Sequence, residues 1–234
     1  MVGGEKGLFI VFDGIDGSGK TENILKTANY FLDKSKGFDS MLLTREPTNS
    51  KYGQAARELQ KTDKDPLAHA QKCLELYVKD RKDHLENVIN PNLEQGAVVL
   101  CDRYKYVTYA YQLVQGNKLE VIDNLHNGLR EPDLTFIFDL PAEVAWMRIK
   151  GAIESETPIN ITDSHSEITR KANGNGRVQK EKFENLEFLR NSREVFRDMK
   201  TLFPNENIEI INSNQSREKV FMEIKKRLDK LLSL

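Results

Sequence analysis

Residues 14–21, which read GIDGSGKT, carry the clearest chemical signal in the chain. Gly14, Gly19, Lys20 and Thr21 fit the pattern G-x-x-x-x-G-K-[ST]. In this pattern the glycines let the backbone wrap closely around phosphate groups and point its N–H groups at them. The lysine ammonium lies on the β- and γ-phosphates, and the threonine hydroxyl ligates Mg²⁺. The pattern therefore predicts a site for a nucleoside triphosphate.

The residues around this motif predict the setting that it requires. Residues 8–13 form a nearly continuous apolar run, typical of a strand covered on both faces, and a helical pattern follows over 20–34. The N-terminus of such a helix carries a partial positive charge that favours phosphate. Another strand is predicted over 97–101, and Asp102, which follows it directly, is a candidate metal ligand. The sequence has no N-K-x-D element, so a GTPase is not favoured.

Three cationic side chains are expected to converge beside this loop. Arg45 and Arg103 follow predicted strands, and parallel sheets bind ligands at the carboxyl ends of their strands. Together with Lys20 they suit a reaction between two polyanions. A monophosphate acceptor is largely ionised at pH 7, so it needs positioning and charge neutralisation rather than a general base. We therefore expect phosphoryl transfer to a phosphate.

An arginine and a group of tyrosines suggest a pocket for the acceptor. Arg81 lies on the apolar face of a helix predicted over 66–89, with Tyr77 one turn earlier. An arginine on an inward face usually meets an anion or a carbonyl group, although it can also extend to the rim. Four of the seven tyrosines follow Asp102, and each can either contact a base or sugar or pack in the core. These four are Tyr104, Tyr106, Tyr109 and Tyr111.

The order of apolar runs predicts an α/β fold. Five runs alternate with helical patterns and lie at 8–13, 40–44, 97–101, 134–140 and 207–211. This alternation indicates a P-loop NTPase-type three-layer sandwich, in which a five-stranded, mainly parallel sheet is flanked by helices. The C-terminal stretch 216–232 is one predicted helix, with an apolar stripe. We expect a single domain over 1–234.

The polar segment 151–177 interrupts this pattern. A loop of this length in a compact domain is usually a lid or an unstructured insertion, and both interpretations stay open. The lid is expected at roughly 151–180.

Composition excludes several classes of protein. Lys plus Arg total 35 and Asp plus Glu 36, so the formal net charge of −1 gives no sign of a nucleic-acid partner or a polybasic membrane protein. The two cysteines, Cys73 and Cys101, exclude a disulfide framework and are expected to be buried free thiols. The apolar run at 8–12 is too short to span a membrane, so we expect a cytoplasmic protein with no membrane partner. The four histidines show no metal-ligand spacing and are interpreted as bystanders: His69, His84, His126 and His165.

Five ordered motifs resemble the thymidylate kinase family. They are FDGIDGSGKT (12–21), TREP (44–47), LELYVKDR (74–81), DRYKYVTYAYQ (102–112) and PDLTFIFDLPAEVAWMRI (132–149). The resemblance covers about 7–150, resumes at 177–200 and ends at 212–216. It implies a homodimeric kinase that uses ATP and Mg²⁺ to convert dTMP to dTDP.

The resemblance also implies roles for residues on the acceptor side. Asp16 would hold the side of the sugar that carries the 3′-hydroxyl and help to organise the metal site. Arg45 and Arg103 would bind the acceptor phosphate. Tyr77 would stack on thymine, and Arg81 would donate to a carbonyl group of the base.

Further residues would complete the two substrate sites. Thr108 and Gln112 would lie at the edge of the base, and Tyr111 would lie under the sugar, where it disfavours a 2′-hydroxyl. Arg148 and the loop 212–216 would flank adenine. The ATP-binding loop would comprise Gly14, Ile15, Asp16, Gly17, Ser18, Gly19, Lys20 and Thr21.

Within this family the catalytic arginine comes from the phosphate-binding loop or from the lid. Here the loop has Gly17 and Ser18 and no arginine, so the resemblance implies a lid cation, with Arg177 in that role. The alternative cations are Arg170, Lys171 and Lys180.

The sequence departs from the family pattern at three places. Val107 stands where serine is usual, Glu22 follows the loop threonine where a small or hydroxyl residue is commoner, and the lid is longer. Two alternatives therefore stay open. One is a kinase for another acceptor, such as dUMP or a deoxynucleoside, and the other is a nucleotide-binding module without turnover.

Overall fold

A computed structural model describes residues 7–34, 38, 40–62, 68–151 and 185–233. Its strands are β1 (Leu8–Gly14), β2 (Met41–Arg45), β3 (Val98–Asp102), β4 (Leu134–Asp139) and β5 (Ile208–Asn212). The four pairings between neighbouring strands are all parallel, and the strand order is β2-β3-β1-β4-β5. The predicted five-stranded parallel sheet is confirmed, and each strand lies within one residue of its predicted bounds.

Helices cover both faces of this sheet. They are α1 (Lys20–Lys34), α2 (Lys51–Thr62), α3 (Ala70–His84), α4 (Asn90–Glu94), α5 (Lys105–Val114), α6 (Leu119–His126), α7 (Ala142–Ile149), α8 (Leu186–Arg197), α9 (Met199–Leu202) and α10 (Arg217–Leu231). The predictions of helices over 20–34 and 216–232 are confirmed to within a residue at each end.

The alternation of side chains along the strands divides the core into two layers. Phe9 and Val11 of β1 pack with apolar residues of α3, α5 and α8 on one face of the sheet. Ile10 and Phe12 point to the other face and pack with α1 and α10. Successive strand side chains point to opposite faces, so a strand buried on both sides needs a nearly continuous apolar run. The predicted three-layer sandwich is therefore present.

The helix predicted over 66–89 differs from the observed one at its end. The structure describes α3 from Ala70, continues through a π-helical turn at Leu85–Ile89 and runs on through α4. Pro91 explains the wider turn, because proline has no backbone N–H and its ring crowds the carbonyl four residues earlier. The prediction that the helix ends at residue 89 is wrong, and the predicted start at Pro66 lies outside the described residues.

Two further predictions about the whole chain can be compared with the structure. Cys73 and Cys101 are both buried and neither takes part in a disulfide bond, as expected. In the described part of the chain, no helix has the length and apolar composition needed to cross a bilayer. The proposed lid falls almost entirely outside the described residues, which include only its first position, Gly151.

Candidate active site at the carboxyl ends of the strands

The phosphate-binding loop connects β1 to α1, as the sequence predicts. Gly17 adopts a φ of 77°, and a Cβ atom there would lie 2.7 Å from the carbonyl oxygen of Ala145. Only glycine combines this backbone conformation with such a close approach of another backbone segment. The loop is therefore held tightly against the N-terminal part of α7.

Lys20 lies buried at the base of this loop. Its Nζ donates hydrogen bonds to the carbonyl oxygens of Gly14, at 3.0 Å, and Ile15, at 2.9 Å. Burial, followed by the positive charge of Arg103, lowers the pKa of Lys20 to about 8. An anion bound in the loop would oppose this shift and keep the ammonium charged.

Thr21 and Asp102, the two predicted metal ligands, are adjacent. The hydroxyl of Thr21 donates to Asp102 Oδ2 at 3.3 Å. Asp102 Oδ1 is buried and has no hydrogen-bond partner among the residues that the structure describes. A hydroxyl oxygen beside an unpartnered carboxylate oxygen fits the hard oxygen ligands that Mg²⁺ prefers. These two residues could therefore hold the cation of a Mg-nucleotide.

A cavity of about 460 Å³ opens over the loop and brings most of the predicted charged residues together. Its lining contains five cationic and three acidic side chains, so its net charge favours an anion. The residues that line it are Asp16, Gly17, Gly19, Lys20, Thr21, Glu22, Arg45, Asp102, Arg103, Arg148 and Arg217. Of these, Glu22 and Arg217 were not predicted as site residues.

Arg103 is fixed beside the loop by its backbone and by Asp16. It has a φ of 72°, and its Nη2 donates to Asp16 Oδ1. The hydroxyl of Tyr111 donates to the other carboxylate oxygen of Asp16 at 3.3 Å. Burial favours the neutral acid, but Arg103 and Lys20 hold the pKa of Asp16 below its ordinary value. Three predicted residues from two motifs therefore form one hydrogen-bonded group around an ionised carboxylate.

Arg45 and Arg148 lie in the same cavity. Arg45 is exposed at the end of β2. Arg148 donates from Nη1 to the carbonyl oxygen of Gly17 at 3.3 Å, while its Nε is buried with no partner among the described residues. Arg177 and the alternative lid cations lie outside the described residues.

Arg81 does not extend to the rim; it is buried, with 2% of its surface exposed. Its Nε donates to Glu46 Oε2 at 2.7 Å. Its Nη2 donates to the carbonyl oxygen of Tyr104 at 2.8 Å and to Thr108 Oγ1 at 3.0 Å. Its Nη1 lies 2.7 Å from His126 Nε2. The guanidinium is therefore fixed in one orientation by residues from several elements.

His126 and His84 belong to this buried group and hold hydrogen bonds in it, which their interpretation as bystanders did not anticipate. His126 Nδ1 lies 2.8 Å from the carbonyl oxygen of Ile122, which can only accept; the proton is thus assigned to Nδ1, and Nε2 accepts from Arg81. Burial, and then the charge of Arg81, lowers the pKa of His126 to about 3. His84 Nδ1 lies 3.1 Å from Glu46 Oε1. Single histidines without metal spacing gave no signal for these roles.

Glu46, His84 and Cys101 place three potential metal-ligand atoms within 4.8 Å of one another. His84, however, already uses Nδ1 toward Glu46 and Nε2 toward Thr44 Oγ1, at 2.8 Å. The other carboxylate oxygen of Glu46 accepts from Arg81. The cluster is explained by hydrogen bonding within the Arg81 group.

The four tyrosines after Asp102 divide into two groups. Tyr104, Tyr106 and Tyr109 are buried in the core, and their hydroxyls bond to Arg130, Glu206 and Asp123, respectively. Only Tyr111 points its hydroxyl at the cavity, through Asp16. Core packing is thus the correct interpretation for the other three.

The remaining predicted acceptor residues lie around α3 and α5. Tyr77 is half-buried, and burial raises the pKa of its hydroxyl, which lies within electrostatic range of Arg103 and Tyr111. Gln112 is buried; its amide donates to Gln115 Oε1 at 2.8 Å and its oxygen accepts from Asn117 at 2.6 Å. Both side chains therefore have defined environments on the side of the sheet that carries Arg81.

Asp13 is a functional candidate that the sequence reasoning missed. It is buried at the end of β1, and its Oδ2 accepts from the backbone N–H groups of Tyr104, at 3.0 Å, and Val107, at 3.2 Å. Tyr104 precedes α5 and provides no side-chain cap, so Asp13 caps this helix from a neighbouring strand. Burial raises the pKa of Asp13 to about 7.

Comparisons with known proteins agree on one family. A family model described as thymidylate kinase matches residues 12–174. The chain is 39% identical over 150 residues to a probable thymidylate kinase of Pyrococcus abyssi, covering 62% of this chain and 71% of the relative. It is 34% identical over 231 residues to a thymidylate kinase of Caldicellulosiruptor saccharolyticus, covering 97% and 98%. A solved thymidylate kinase from Ehrlichia chaffeensis superposes with a TM-score of 0.66 at 26% identity, over 95% of this chain and 98% of that one.

Proposed function

The chain belongs to the thymidylate kinase family, and we propose that it transfers the γ-phosphoryl group of ATP to the phosphate of dTMP, giving ADP and dTDP. One observation carries the proposal: Lys20, Arg45 and Arg103 line a single cavity beside Thr21 and Asp102. This arrangement can neutralise two phosphate groups at once, which is the main requirement for transfer between polyanions.

The donor nucleotide binds at the loop between β1 and α1. Backbone N–H groups of the loop and the ammonium of Lys20 contact its terminal phosphates. Thr21 and Asp102 would hold Mg²⁺, which supplies further charge neutralisation on the donor phosphates when bound. Arg148 lies at the rim of the same cavity, beside Gly17, in a position suited to the adenosine part of ATP.

The acceptor binds on the other side of the cavity, where Arg45 and Arg103 contact its phosphate. An oxygen of this phosphate attacks the γ-phosphorus of ATP, the bond from that phosphorus to the β–γ bridging oxygen breaks, and ADP leaves. No general base is needed, because the attacking oxygen is already ionised at neutral pH. Asp16, kept ionised by Arg103 and Lys20, accepts a hydrogen bond from the sugar hydroxyl.

Recognition of the base rests on Tyr77, Arg81 and Thr108. A guanidinium has five N–H hydrogens, and the protein acceptors in the described part of the chain take four of those of Arg81. One hydrogen on Nη1 is left for a carbonyl group of the base. Thr108 accepts from Arg81, so its own proton can be donated. Both groups favour thymine, because cytosine presents an amino group where thymine has a carbonyl oxygen.

The lid cation and the homodimer implied by the family, and the cytoplasmic location expected from the sequence, remain predictions. We propose that Arg177 approaches the transferring phosphoryl group and stabilises its charge, an effect worth about 10³–10⁵ in rate in related reactions. Sedimentation velocity tests the homodimer. A nucleotide-binding module without turnover is not favoured, because Lys20, Thr21 and Asp102 are all in place.

The proposal is tested by measuring ADP formation from Mg-ATP with a panel of acceptors. The panel contains dTMP, dUMP, UMP, dCMP, AMP, dGMP and thymidine, and the Lys20→Ala variant is the control for contaminating kinases. We expect dTMP to be preferred over UMP and dCMP. Preference for another monophosphate would indicate that Val107 and its neighbours determine the choice of acceptor. Activity on thymidine alone would contradict the argument that no general base is needed.

A further inference from the structure

Arg217 lines the cavity of the candidate active site, although no motif predicted a role for it. We propose that its guanidinium binds a phosphate group of the donor nucleotide and that Glu22 holds it in position. The inference rests on the proposed function, because it assigns a further residue to the ATP site of that reaction.

Glu22 explains why a cation is needed here. It is the third residue of α1 and lines the same cavity as Lys20, so its carboxylate would repel a bound triphosphate. Among the described residues, this carboxylate forms two ion pairs: Lys26 Nζ lies 2.8 Å from Oε1, and Arg217 Nε lies 3.5 Å from Oε2. Lys26 is one helical turn away on the same element. Arg217 comes from α10 and lines the cavity itself.

Arg148 provides a second, independent observation. Burial lowers the pKa of its guanidinium, and the next largest cause is the positive charge of Arg217. Its Nε is buried without a hydrogen-bond partner in the described part of the chain. Two guanidinium groups whose positive charges oppose each other in one cavity are stabilised by an anion near them. With Arg148 beside the adenosine, a phosphate group of the donor has the charge and the oxygen atoms to bind Arg217.

The packing of α10 against α1 holds Arg217 close to the phosphate-binding loop. It is the first residue of α10, whose N-terminal turn is capped by the hydroxyl of Ser216. Helix α10 packs with α1 in the same core layer, and the hydroxyl of Tyr30 donates a hydrogen bond to Asp229 across the two helices. Since α1 begins at the phosphate-binding loop, any nucleotide held by that loop lies at a fixed position relative to Arg217.

Binding of ATP to the protein without acceptor tests the inference directly. Isothermal titration calorimetry of Arg217→Ala is expected to give a dissociation constant for Mg-ATP that is about tenfold higher than that of the wild type. The dissociation constant for dTMP should not change, and Arg217→Lys should give an intermediate value for ATP. The matched control is Arg197→Ala, which removes an arginine of comparable exposure that is paired with Glu194 at 3.2 Å on α8. This control should bind ATP as the wild type does.

A simpler role for Arg217 would be to neutralise Glu22, and a double-mutant cycle separates the two roles. In the Glu22→Gln background there is no carboxylate to neutralise. If Arg217 contacts the nucleotide, Arg217→Ala still weakens ATP binding severalfold in this background. If the effect disappears there, or if Arg217→Ala binds ATP as tightly as the wild type, the inference is wrong.

These measurements also distinguish a failure of the inference from a failure of the proposed function. A wild-type protein that binds no ATP would overturn the proposed function and this inference together. Normal ATP binding with an unaffected Arg217→Ala variant would overturn only the inference. Circular dichroism spectra that match the wild type confirm that each variant is folded.

Discussion

At the scale of single residues, Arg81 is the clearest case of a side chain whose role depends on its neighbours. Its position on an inward helix face was predictable, because an arginine amid apolar residues needs buried acceptors. The identity of those acceptors was not, since Glu46, Tyr104 and His126 lie on other elements and are far apart in sequence. No local pattern shows which distant polar groups meet in a core.

This arrangement gives a prediction for His126→Ala. The substitution leaves an N–H of Arg81 buried and without an acceptor, which should lower the free energy of unfolding by about 1–3 kcal/mol. The guanidinium also loses its fixed orientation, so KM for dTMP should rise more than KM for ATP. Urea denaturation and steady-state kinetics measure the two effects.

Two variants serve as controls for this prediction. His126→Gln keeps an acceptor near the position of Nε2, so its KM for dTMP should lie between that of His126→Ala and that of the wild type. His69→Asn, at an exposed position whose φ of 58° asparagine tolerates, should change neither quantity. Equal increases of KM for both substrates in His126→Ala would contradict a role in holding Arg81.

The loop glycines also act at this scale. Gly17→Ala should destabilise the protein and weaken ATP binding, because the added Cβ would lie 2.7 Å from a backbone oxygen at a φ of 77°. Gly116→Ala is the matched control: its φ is 86°, but nothing lies within 4 Å of the added atom. Both variants carry the strain of a left-handed backbone, about 1–3 kcal/mol. Thermal melting and ATP titration should show a larger loss for Gly17→Ala, and equal losses would show that the close contact is unimportant.

At the scale of the elements, Asp13 links β1 to α5. Strand β1 leads into the phosphate-binding loop, and α5 carries Thr108, Tyr111 and Gln112. By capping α5, Asp13 ties the donor side of the site to the acceptor side. The sequence offered no sign of this cap, because an N-cap is normally sought immediately before the helix. Here the capping residue lies on a strand that is far away in the sequence, although it is adjacent in space.

The raised pKa of Asp13 gives a pH-dependent prediction. The folded state has a pKa of about 7 against an ordinary value of 3.8, so the folded state holds the proton more tightly than the unfolded state does. The stabilisation is complete below about pH 4 and is lost as the pH rises to about 7, with a slope of at most about 1.4 kcal/mol per pH unit. Relative to Asp13→Asn, the wild type should therefore lose stability as the pH rises from about 4 to about 7, and the difference should stay constant above about pH 7. Urea denaturation from pH 4 to 9 measures this, and parallel curves for the two proteins would be the contrary result.

Periodicity located the elements well, but it did not describe irregular helix geometry. The strand predictions held to within one residue, since a strand buried on both faces requires a continuous apolar run. The wider turn before Pro91 was missed, because Leu85 and Val88 keep an apparently regular helical spacing. The effect of Pro91 depends on whether the backbone continues beyond it, and periodicity alone does not determine that.

At the scale of the whole molecule, the parallel sheet explains why so much of the site could be predicted. All five strands run in one direction, so the residues that follow β1, β2 and β3 meet at one edge. Lys20, Arg45 and Arg103 were placed together on this topological argument alone, and they line one cavity. Arg217 lies on the same cavity but was missed, because it begins a helix after β5 and belongs to no motif.

The central claim is that the cavity joins two phosphate-bearing substrates and transfers a phosphoryl group between them. The most direct measurement is ³¹P NMR of the protein with Mg-ATP and dTMP. The account predicts that the signals of ADP and dTDP grow in equal amounts, with no accumulation of inorganic phosphate. Release of inorganic phosphate and ADP without dTDP would show that water, and not the nucleotide, is the acceptor, and would contradict the account.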